Sequence, residues 1–314
     1  MGNSRAAVVL SGVCLTAACI LTAACSGSPT SGAAAGGTRA STSAGQAGSA
    51  GRTSSHLTTT GGAIATPDSG APGVTYSRVR TADGSVITVA VFHGDLRFVL
   101  HNGSQDPGAA AASVVQAGPA VTGAERRQLL AAFNGGFKLR SRAGGYLQEG
   151  HAIRALRHGL ASLVIDRSGR ARIGVWGSSV PGPGEAVYSV LQNLWPILAN
   201  GKPTAETTKW WRWGGTVGRA EYVARSAVGQ TAAGDLMYAA SMSTVPADLA
   251  SALASSGARI GMELDINQFW VQLDTASAPG GPLTAGVPGQ LHPASQYLTG
   301  WTRDFIAVLA PAAP

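Results

Sequence analysis

The stretch "VPADLASALASSGARIGMELDIN", residues 245–267, joins a helix pattern directly to a strand pattern. Pro246 stands near the start, Leu249 and Leu253 lie on one helix face, and Gly257 is well placed to end the helix. "IGMELDI" follows at once and alternates apolar with polar residues, as a strand with one polar face does. The segment therefore predicts a helix that leads straight into a strand.

Short strand patterns separated by turn signals fill most of the remaining chain from residue 74 onward. "VTYSRVR", "SVITVAVF" and "LRFVLH" predict a meander, and "ASLVIDRSGRARIGVW" and "RSAVGQTAAGDLMYAAS" predict hairpins. "RDFIAVLA" predicts a last strand, whereas "AERRQLLAAF" is helix-like. No linker interrupts 74–314, so we expect one α+β domain of about 240 residues, with mixed, largely antiparallel sheets and a few packed helices.

The strand in the first stretch carries an unusual polar face. Glu263, Asp265 and Asn267 alternate with apolar residues and are expected to point the same way. Two adjacent carboxylates suit the acid and base of a glycosidase. The three oxygen-bearing side chains could instead hold a divalent cation such as Ca²⁺ or Mg²⁺, or form the wet face of a half-exposed strand. These alternatives stay open at this level.

The N-terminal segment predicts an extracytoplasmic location. Residues 1–25 combine one early arginine, an apolar stretch and a repeated "LTAAC" ending at Cys25, which is typical of a lipoprotein signal peptide with Cys25 lipidated. The alternative is an uncleaved membrane helix. Residues 26–73 are rich in Gly, Ala, Ser and Thr and predict a disordered tether. We expect the protein on the outer face of the cytoplasmic membrane, held there by its lipid anchor, or secreted.

Composition excludes several kinds of chemistry. All three cysteines, Cys14, Cys19 and Cys25, lie in the first segment, so the domain at 74–314 has no thiol nucleophile, thiolate ligand or disulfide. Arg and Lys outnumber Asp and Glu by 23 to 16 without a basic run, which argues against nucleic acid as a partner. Walker, dinucleotide-binding, serine-hydrolase and zinc-protease motifs are also absent from the sequence.

Three further motifs offer binding groups. "AAFNGGFKL" places Asn134 before Gly135 and Gly136, which is a turn signal that also lets a backbone approach a ligand closely. "ARSAVG" places Arg225 and Ser226 at the head of a strand, where an arginine serves as a phosphate clamp or as an ion-pair partner. "KWWRWGG", residues 209–215, gathers three tryptophans, which stack on sugar rings or pack beneath a loop.

Taken in order, these segments resemble the phosphodiester glycosidase family. The resemblance rests on "LHNGSQDPG", "FNGGFK", "LQNLWPILANGKP", "ARSAVGQTAAGDLMYAA" and "LASALASSGARIGMELDIN", and it covers nearly all of 74–314. The family pattern runs from Asn-Gly-Gly-Phe through Arg-(Thr/Ser)-Ala-Val-Gly to a strand that closes in Leu-Asp-Gly-Gly-Gly-Ser. Here "INQFW" replaces the glycine run after Asp265, in the form found in an actinobacterial branch.

The resemblance implies an extracytoplasmic hydrolase that acts on a sugar joined through a phosphodiester, with Asn134, Arg225 and Asp265 lining the site. We expect Asp265 to act as nucleophile or base, Glu263 as general acid, Arg225 as phosphate clamp and Asn134 as a group that orients a hydroxyl. The split of roles between the two acids rests on physics alone. The residues expected to bind substrate are Gly135, Gly136, Ser226, Asn267 and Trp211.

No cofactor is expected, apart from the cation alternative at Glu263, Asp265 and Asn267. The expected partner is a carbohydrate or glycosyl phosphate, and the net charge of +7 fits an anionic substrate such as a cell-envelope glycan. The rival hypothesis is a lipid-anchored envelope protein that binds glycans without cleaving them, on a catalytically degenerate form of the same fold.

Overall fold

Strands outnumber helices throughout the structure, a computed structural model that describes residues 72–214 and 220–311. The predicted signal peptide, Cys25 and the tether up to residue 71 lie outside the described residues. None of the helices in the described ranges has the length and apolar character needed to cross a bilayer.

The described strands are β1 Val74–Arg80, β2 Val86–Phe92, β3 Arg97–His101, β4 Leu129–Asn134, β5 Tyr146–Gln148, β6 His151–Arg154, β7 Ala161–Ile165, β8 Ala171–Val175, β9 Ser189–Gln192, β10 Pro196–Ala199, β11 Lys202–Pro203, β12 Val223–Thr231, β13 Leu236–Thr244, β14 Ala258–Glu263, β15 Leu273–Ala276, β16 Leu283–Ala285 and β17 Phe305–Leu309. The described helices are α1 Ala109–Ala112, α2 Gly123–Gln128, α3 Pro246–Ser255 and α4 Gln296–Thr299.

These strands form three sheets. The largest has the order β1-β2-β13-β12-β14-β10-β11, the second β16-β15-β4-β17-β3 and the third β6-β5-β9-β7-β8. Every ladder between these strands is antiparallel. All the described residues fall within one compact unit, which confirms the predicted single-domain α+β fold.

The predicted helix and strand of the first stretch are present as α3 and β14. Helix α3 packs on the largest sheet over Gly229 and Gly261, which are register partners on β12 and β14. A Cβ atom on Gly229 would lie 2.9 Å from a methyl of Leu253, and one on Gly261 would lie 3.1 Å from the other methyl. Because both positions are glycine, the helix can approach the sheet closely, and Leu253 is fully buried in the contact.

A hydrophobic core joins the three sheets. It includes Phe92 of the first sheet, Phe133 of the second and Leu163 of the third, all buried. The rings of Phe92 and Phe133 are stacked with centroids 5.7 Å apart. Because each sheet buries one face in the same core, the strand ends of different sheets are brought next to each other.

Two local predictions were wrong. "VTYSRVR", "SVITVAVF" and "LRFVLH" were expected to form a meander, but only β1 and β2 pair with each other, whereas β3 pairs with β17 in the second sheet. "AERRQLLAAF" was expected to be helical, but only its first part belongs to helix α2, and Leu129–Asn134 form strand β4. All six residues of β4 are buried, and the strand pairs with β15 on one side and β17 on the other. Leucine and alanine favour a helix locally, but a central position in a sheet overrides that preference.

Candidate active site

Asp265 lies two residues beyond the end of β14, where it contacts β12 and the residue that follows β4. Its backbone N–H donates to the carbonyl oxygen of Gly135, just after β4, at 3.0 Å. Its own carbonyl oxygen accepts hydrogen bonds from the N–H and the hydroxyl of Ser226 on β12, at 3.2 and 2.8 Å. The position of Asp265 is therefore set by the backbones of β4 and β12 rather than by a loop.

The carboxylate of Asp265 is held in one orientation by three donors. Oδ1 accepts the backbone N–H groups of Ile266 at 2.7 Å and Asn267 at 3.1 Å, and Oδ2 is 3.2 Å from Nη2 of Arg303. The residue is only 6% exposed, and this burial raises the pKa of the Asp265 carboxyl, while Arg303 and the two N–H groups oppose the rise. Each carboxylate oxygen has two acceptor positions, so Oδ2 keeps one for a ligand.

Arg303, just before β17, joins the groups around Asp265. Its Nη1 pairs with the carboxylate of Asp106, and its Nη2 donates to the carbonyl oxygen of Gly136 at 2.7 Å. Oδ1 of Asp304 lies 3.6 Å from the same Nη2. Burial lowers the pKa of the Arg303 guanidinium, but the three surrounding carboxylates raise it overall, so the group is a permanent cation.

Sequence reasoning missed Arg303 as a site residue. The only signal was an Arg-Asp pair directly before the apolar strand "FIAVLA". Neither charged side chain fits among the buried apolar residues of such a strand. Two charged residues directly before a buried strand indicate that each has a charged or hydrogen-bonding partner elsewhere in the fold. The identity of those partners, Asp106 and Asp265, depends on the tertiary structure.

The double glycine of "FNGGFK" makes room for Asp304. A Cβ atom on Gly135 would lie 2.2 Å from Oδ2 of Asp304, and the N–H of Gly136 donates to that same oxygen at 3.1 Å. Burial is the main cause that raises the pKa of Asp304 to about 7, and Arg303 opposes it. Gly135 and Gly136 thus support the arginine and its carboxylates, and neither is among the described residues that line the adjacent cavity.

That cavity has a volume of about 480 Å³ and opens over the carboxylate of Asp265. Nζ of Lys138 lies 5.3 Å from the ring centre of Trp270. Arg140 lies on the short 3₁₀ turn that directly follows Lys138 in the chain. Asp265 is the only carboxylate among the described lining residues. Those residues are Phe137, Lys138, Arg140, Ser141, Gly214, Asp265, Ile266, Asn267 and Trp270.

Glu263 and Arg225 form a separate, fully buried ion pair. Nη1 of Arg225 is 2.8 Å from Oε1 of Glu263, and the same Nη1 donates to the carbonyl oxygen of Trp213 at 3.1 Å. Nε of Arg225 donates to the carbonyl oxygen of Thr244 at 3.2 Å. Burial raises the pKa of Glu263, and the guanidinium of Arg225 opposes the rise. Neither side chain has exposed surface or lines the cavity, so the structure does not favour the predicted roles of phosphate clamp and general acid.

Asn134 and Ser226 are also buried and engaged with the protein. Oδ1 of Asn134 accepts the hydroxyl of Tyr238 at 2.7 Å and the N–H of Gln272 at 3.2 Å. Its Nδ2 donates to the hydroxyl of Ser226 at 2.9 Å. These contacts connect β4 to β12, β13 and the start of β15, so Asn134 positions the strands that support Asp265. Asn134 is not one of the described cavity residues.

The remaining predicted residues are split between the cavity and the surface. Asn267 lines the cavity, and its Oδ1 accepts the N–H of Phe269 at 3.0 Å. Trp211 is 61% exposed on a short 3₁₀ turn outside the described lining. The cation alternative stays a prediction, and the described residues contain no group of three or more His, Cys, Asp or Glu side chains that could hold a metal ion.

Comparisons with known proteins give only distant likenesses. No family model matches the sequence, and no curated protein matches it. The zebrafish N-acetylglucosamine-1-phosphodiester alpha-N-acetylglucosaminidase catalytic domain, auto-inhibited by its pro-peptide, is similar with 14% identity and a TM-score of 0.46 over 75% of this chain and 81% of that chain. A hypothetical protein from Synechocystis has 12% identity and a TM-score of 0.45 over 76% of this chain and 62% of that one. A putative exported protein from Burkholderia pseudomallei has 12% identity and a TM-score of 0.37 over 75% of each chain.

Removing one member of the buried ion pair should destabilise the fold. We expect Arg225→Met to lower the free energy of unfolding by about 3–5 kcal/mol, because Glu263 is then buried without its partner. Arg225→Met combined with Glu263→Leu should recover part of this loss, but not all, since the carbonyl groups of Trp213 and Thr244 still lose their donor. Urea denaturation measures all three proteins.

The exposed pair Arg172–Glu185 gives a matched control for this experiment. Arg172→Met should change the free energy of unfolding by less than about 1 kcal/mol, because solvent screens exposed charges. Equal losses for Arg172→Met and Arg225→Met would contradict a structural role for the buried pair.

Asp304 should make stability depend on pH. Its pKa of about 7 in the folded protein lies above the value of about 3.9 expected in the unfolded chain, so folding favours the protonated acid. The resulting stabilisation is complete below pH 4 and is lost as the pH rises through 7. Between pH 4.5 and 7, the unfolding free energy of the wild type should therefore fall more steeply than that of Asp304→Asn, by up to about 1.4 kcal/mol per pH unit. Parallel curves from urea denaturation across this range would show that Asp304 does not titrate in this way.

Proposed function

We propose that this chain is an extracytoplasmic hydrolase that cleaves a sugar-phosphodiester linkage at the anomeric carbon, with Asp265 at the reacting centre. The observation that carries the proposal is the cavity of about 480 Å³, whose described lining residues include one oriented carboxylate, two cationic side chains and an indole ring. The ordered motifs that resemble phosphodiester glycosidases support the same substrate class, and the N-terminal sequence supports the location.

Lys138 and Arg140 are the groups suited to bind the phosphate. Both line the cavity, whereas Arg225, for which this role was expected, has no exposed surface. A guanidinium binds two phosphate oxygens at once, and an ammonium adds a point charge. The rings of Phe137 and Trp270 in the same cavity offer apolar faces to a sugar ring.

A phosphate leaving group suits a site whose described lining residues include one carboxylate. When the anomeric C–O bond breaks, its electron pair leaves with the phosphate oxygen, and a phosphate monoester has a second pKa of about 6. It therefore leaves as a stable anion beside Lys138 and Arg140, whereas a sugar hydroxyl would need a proton from a general acid. Asp265 attacks the anomeric carbon or takes the proton of the attacking water, and Glu263 is not required in the cavity.

The second candidate is a glycan-binding protein without turnover. Asp265 already accepts three hydrogen bonds from the protein, and no other carboxyl group is present among the described lining residues. This arrangement favours an acceptor that orients sugar hydroxyls. The two candidates use the same cavity and differ in whether the sugar is released.

Asp265→Asn should lower the rate of sugar release by at least about 100-fold, because the amide is neither a nucleophile nor a base. The assay uses purified protein and a panel of α- and β-glycosyl methyl phosphodiesters of glucose, mannose and N-acetylglucosamine, with free sugar as the readout. Asp166→Asn is the matched control, since Asp166 also accepts two backbone N–H groups, in the turn between β7 and β8. Thermal unfolding confirms that both variants are folded.

Unchanged turnover by folded Asp265→Asn would exclude the role assigned to Asp265. Binding of the sugars by the wild type with no release of any of them would favour the glycan-binding candidate instead.

Arg140→Gln should raise KM for a phosphodiester substrate by about tenfold, because one charge-assisted contact to the phosphate is lost. The difference in KM between Arg140→Gln and the wild type should become smaller as ionic strength rises, because salt screens the attraction between Arg140 and the phosphate in the wild type. Arg142→Gln is the control, because Arg142 is a nearby exposed arginine that is not one of the described cavity residues. Equal KM changes for the two variants would contradict a specific phosphate contact at Arg140.

A further inference from the structure

Two tryptophans are exposed beside the candidate active site. Trp211 is 61% exposed and Trp195 is 41% exposed. The guanidinium carbon of Arg212, the residue after Trp211, lies 5.1 Å from the ring centre of Trp195, so Trp195 lies beside the segment that carries Trp211. We call Trp195, Trp211 and Arg212 the tryptophan platform. Large apolar side chains exposed together commonly mark a surface that binds a ligand.

The platform is held by buried contacts rather than by a free loop. Trp213, two residues after Trp211, is fully buried, and its indole N–H donates to the carbonyl oxygen of Glu206 at 2.8 Å. The carbonyl oxygen of Trp213 accepts from Arg225, the arginine that pairs with Glu263. The buried ion pair therefore anchors the segment that displays Trp211, so little ordering entropy is lost when a ligand binds there.

A short stretch of chain connects the platform to the cavity over Asp265. Gly214 follows Trp213 and lines the cavity, and a Cβ atom on it would lie 2.7 Å from the ring of Phe137. Trp211 and Gly214 are three residues apart, so their Cα atoms are separated by at most about 11 Å. A ligand in the cavity therefore has to extend by no more than about this distance past Gly214 to meet the chain at Trp211.

Charged groups of both signs lie among the aromatic faces. The carboxylate of Glu206 pairs with Nζ of Lys209 at 3.0 Å and with the guanidinium of Arg212. Sugars present an apolar face of C–H groups and a rim of hydroxyls, and this combination of indole faces with donors and an acceptor matches both.

We propose that the tryptophan platform is a further subsite that binds additional sugar units of a glycan chain whose phosphodiester-linked unit lies in the cavity. The substrate is then a polymer of glycosyl phosphates rather than a single glycosyl phosphate. The inference rests on the proposed function for the identity of the cavity ligand, and it adds the chain length that the protein recognises.

The experiment compares the binding of short and long probes that cannot be hydrolysed. The short probe is a single glycosyl methyl phosphonate, in which CH₂ replaces the anomeric oxygen, and the long probe is four units of the same sugar joined 1→6 through this linkage. Glucose, mannose and N-acetylglucosamine versions are measured by isothermal titration calorimetry. The proteins are the wild type, Trp195→Ala/Trp211→Ala, and Tyr222→Ala, which removes an exposed aromatic residue outside the platform.

For at least one sugar, the wild type should bind the long probe at least about tenfold more tightly than the short one. Trp195→Ala/Trp211→Ala should remove this difference while its affinity for the short probe stays within about twofold of the wild-type value. Tyr222→Ala should behave as the wild type. Equal affinity of the wild type for both probes, or an equal loss of both in the double variant, would overturn the proposal.

Two further outcomes separate this proposal from others. If the double variant lost sedimentation with phosphatidylglycerol vesicles and kept its preference for long probes, the platform would be a membrane surface and the glycan subsite would be excluded. If the wild type preferred long probes and released no sugar from the hydrolysable panel, the proposed reaction would fail and the subsite would stand.

Discussion

The buried guanidinium of Arg303 is the group on which the candidate site depends. It contacts Asp106 beyond β3, the carbonyl oxygen of Gly136 beyond β4 and Asp265 beyond β14, and it precedes β17 itself. A buried cation is stable only while it is paired and hydrogen-bonded, so these chain segments must converge for the protein to fold. The same contacts leave the carboxylate of Asp265 in one orientation at the edge of the cavity.

Glu263 and Asp265 are two residues apart but lie in different surroundings. Glu263 is the last residue of β14 and is buried against Arg225, which in turn holds the carbonyl oxygen of Trp213. Asp265 lies past the strand end, where its N–H pairs with Gly135 instead of continuing the β14 ladder. One carboxylate therefore supports the loop beside the cavity, and the other faces the cavity. The basic side chains divide in the same way, with Arg225 and Arg303 buried and Lys138 and Arg140 on the cavity wall.

Much of the fold could be predicted from local patterns. Helix α3, strand β14 and the β12–β13 and β7–β8 hairpins occur where apolar periodicity and turn residues indicate them. Strand β4 could not be predicted, because its leucines and alanines favour a helix until β15 and β17 supply hydrogen bonds on both sides. Among the predicted site residues, Asp265 and Asn267 line the cavity, whereas Arg225, Glu263, Asn134 and Ser226 are buried and are not among its described lining residues.

The sequence by itself determined the fold class and the residues with unusual chemistry, because periodicity, turn residues and charges in apolar runs are local properties. It placed Asp265 on the polar face of the strand pattern that follows the helix. Only the tertiary structure decided which charges meet. The partners Asp106, Asp265 and Arg303 are far apart in the chain. Whether two side chains such as those of Arg225 and Glu263 form an ion pair depends on their burial and on the direction in which each side chain points. Neither property can be read from the spacing of residues along the chain.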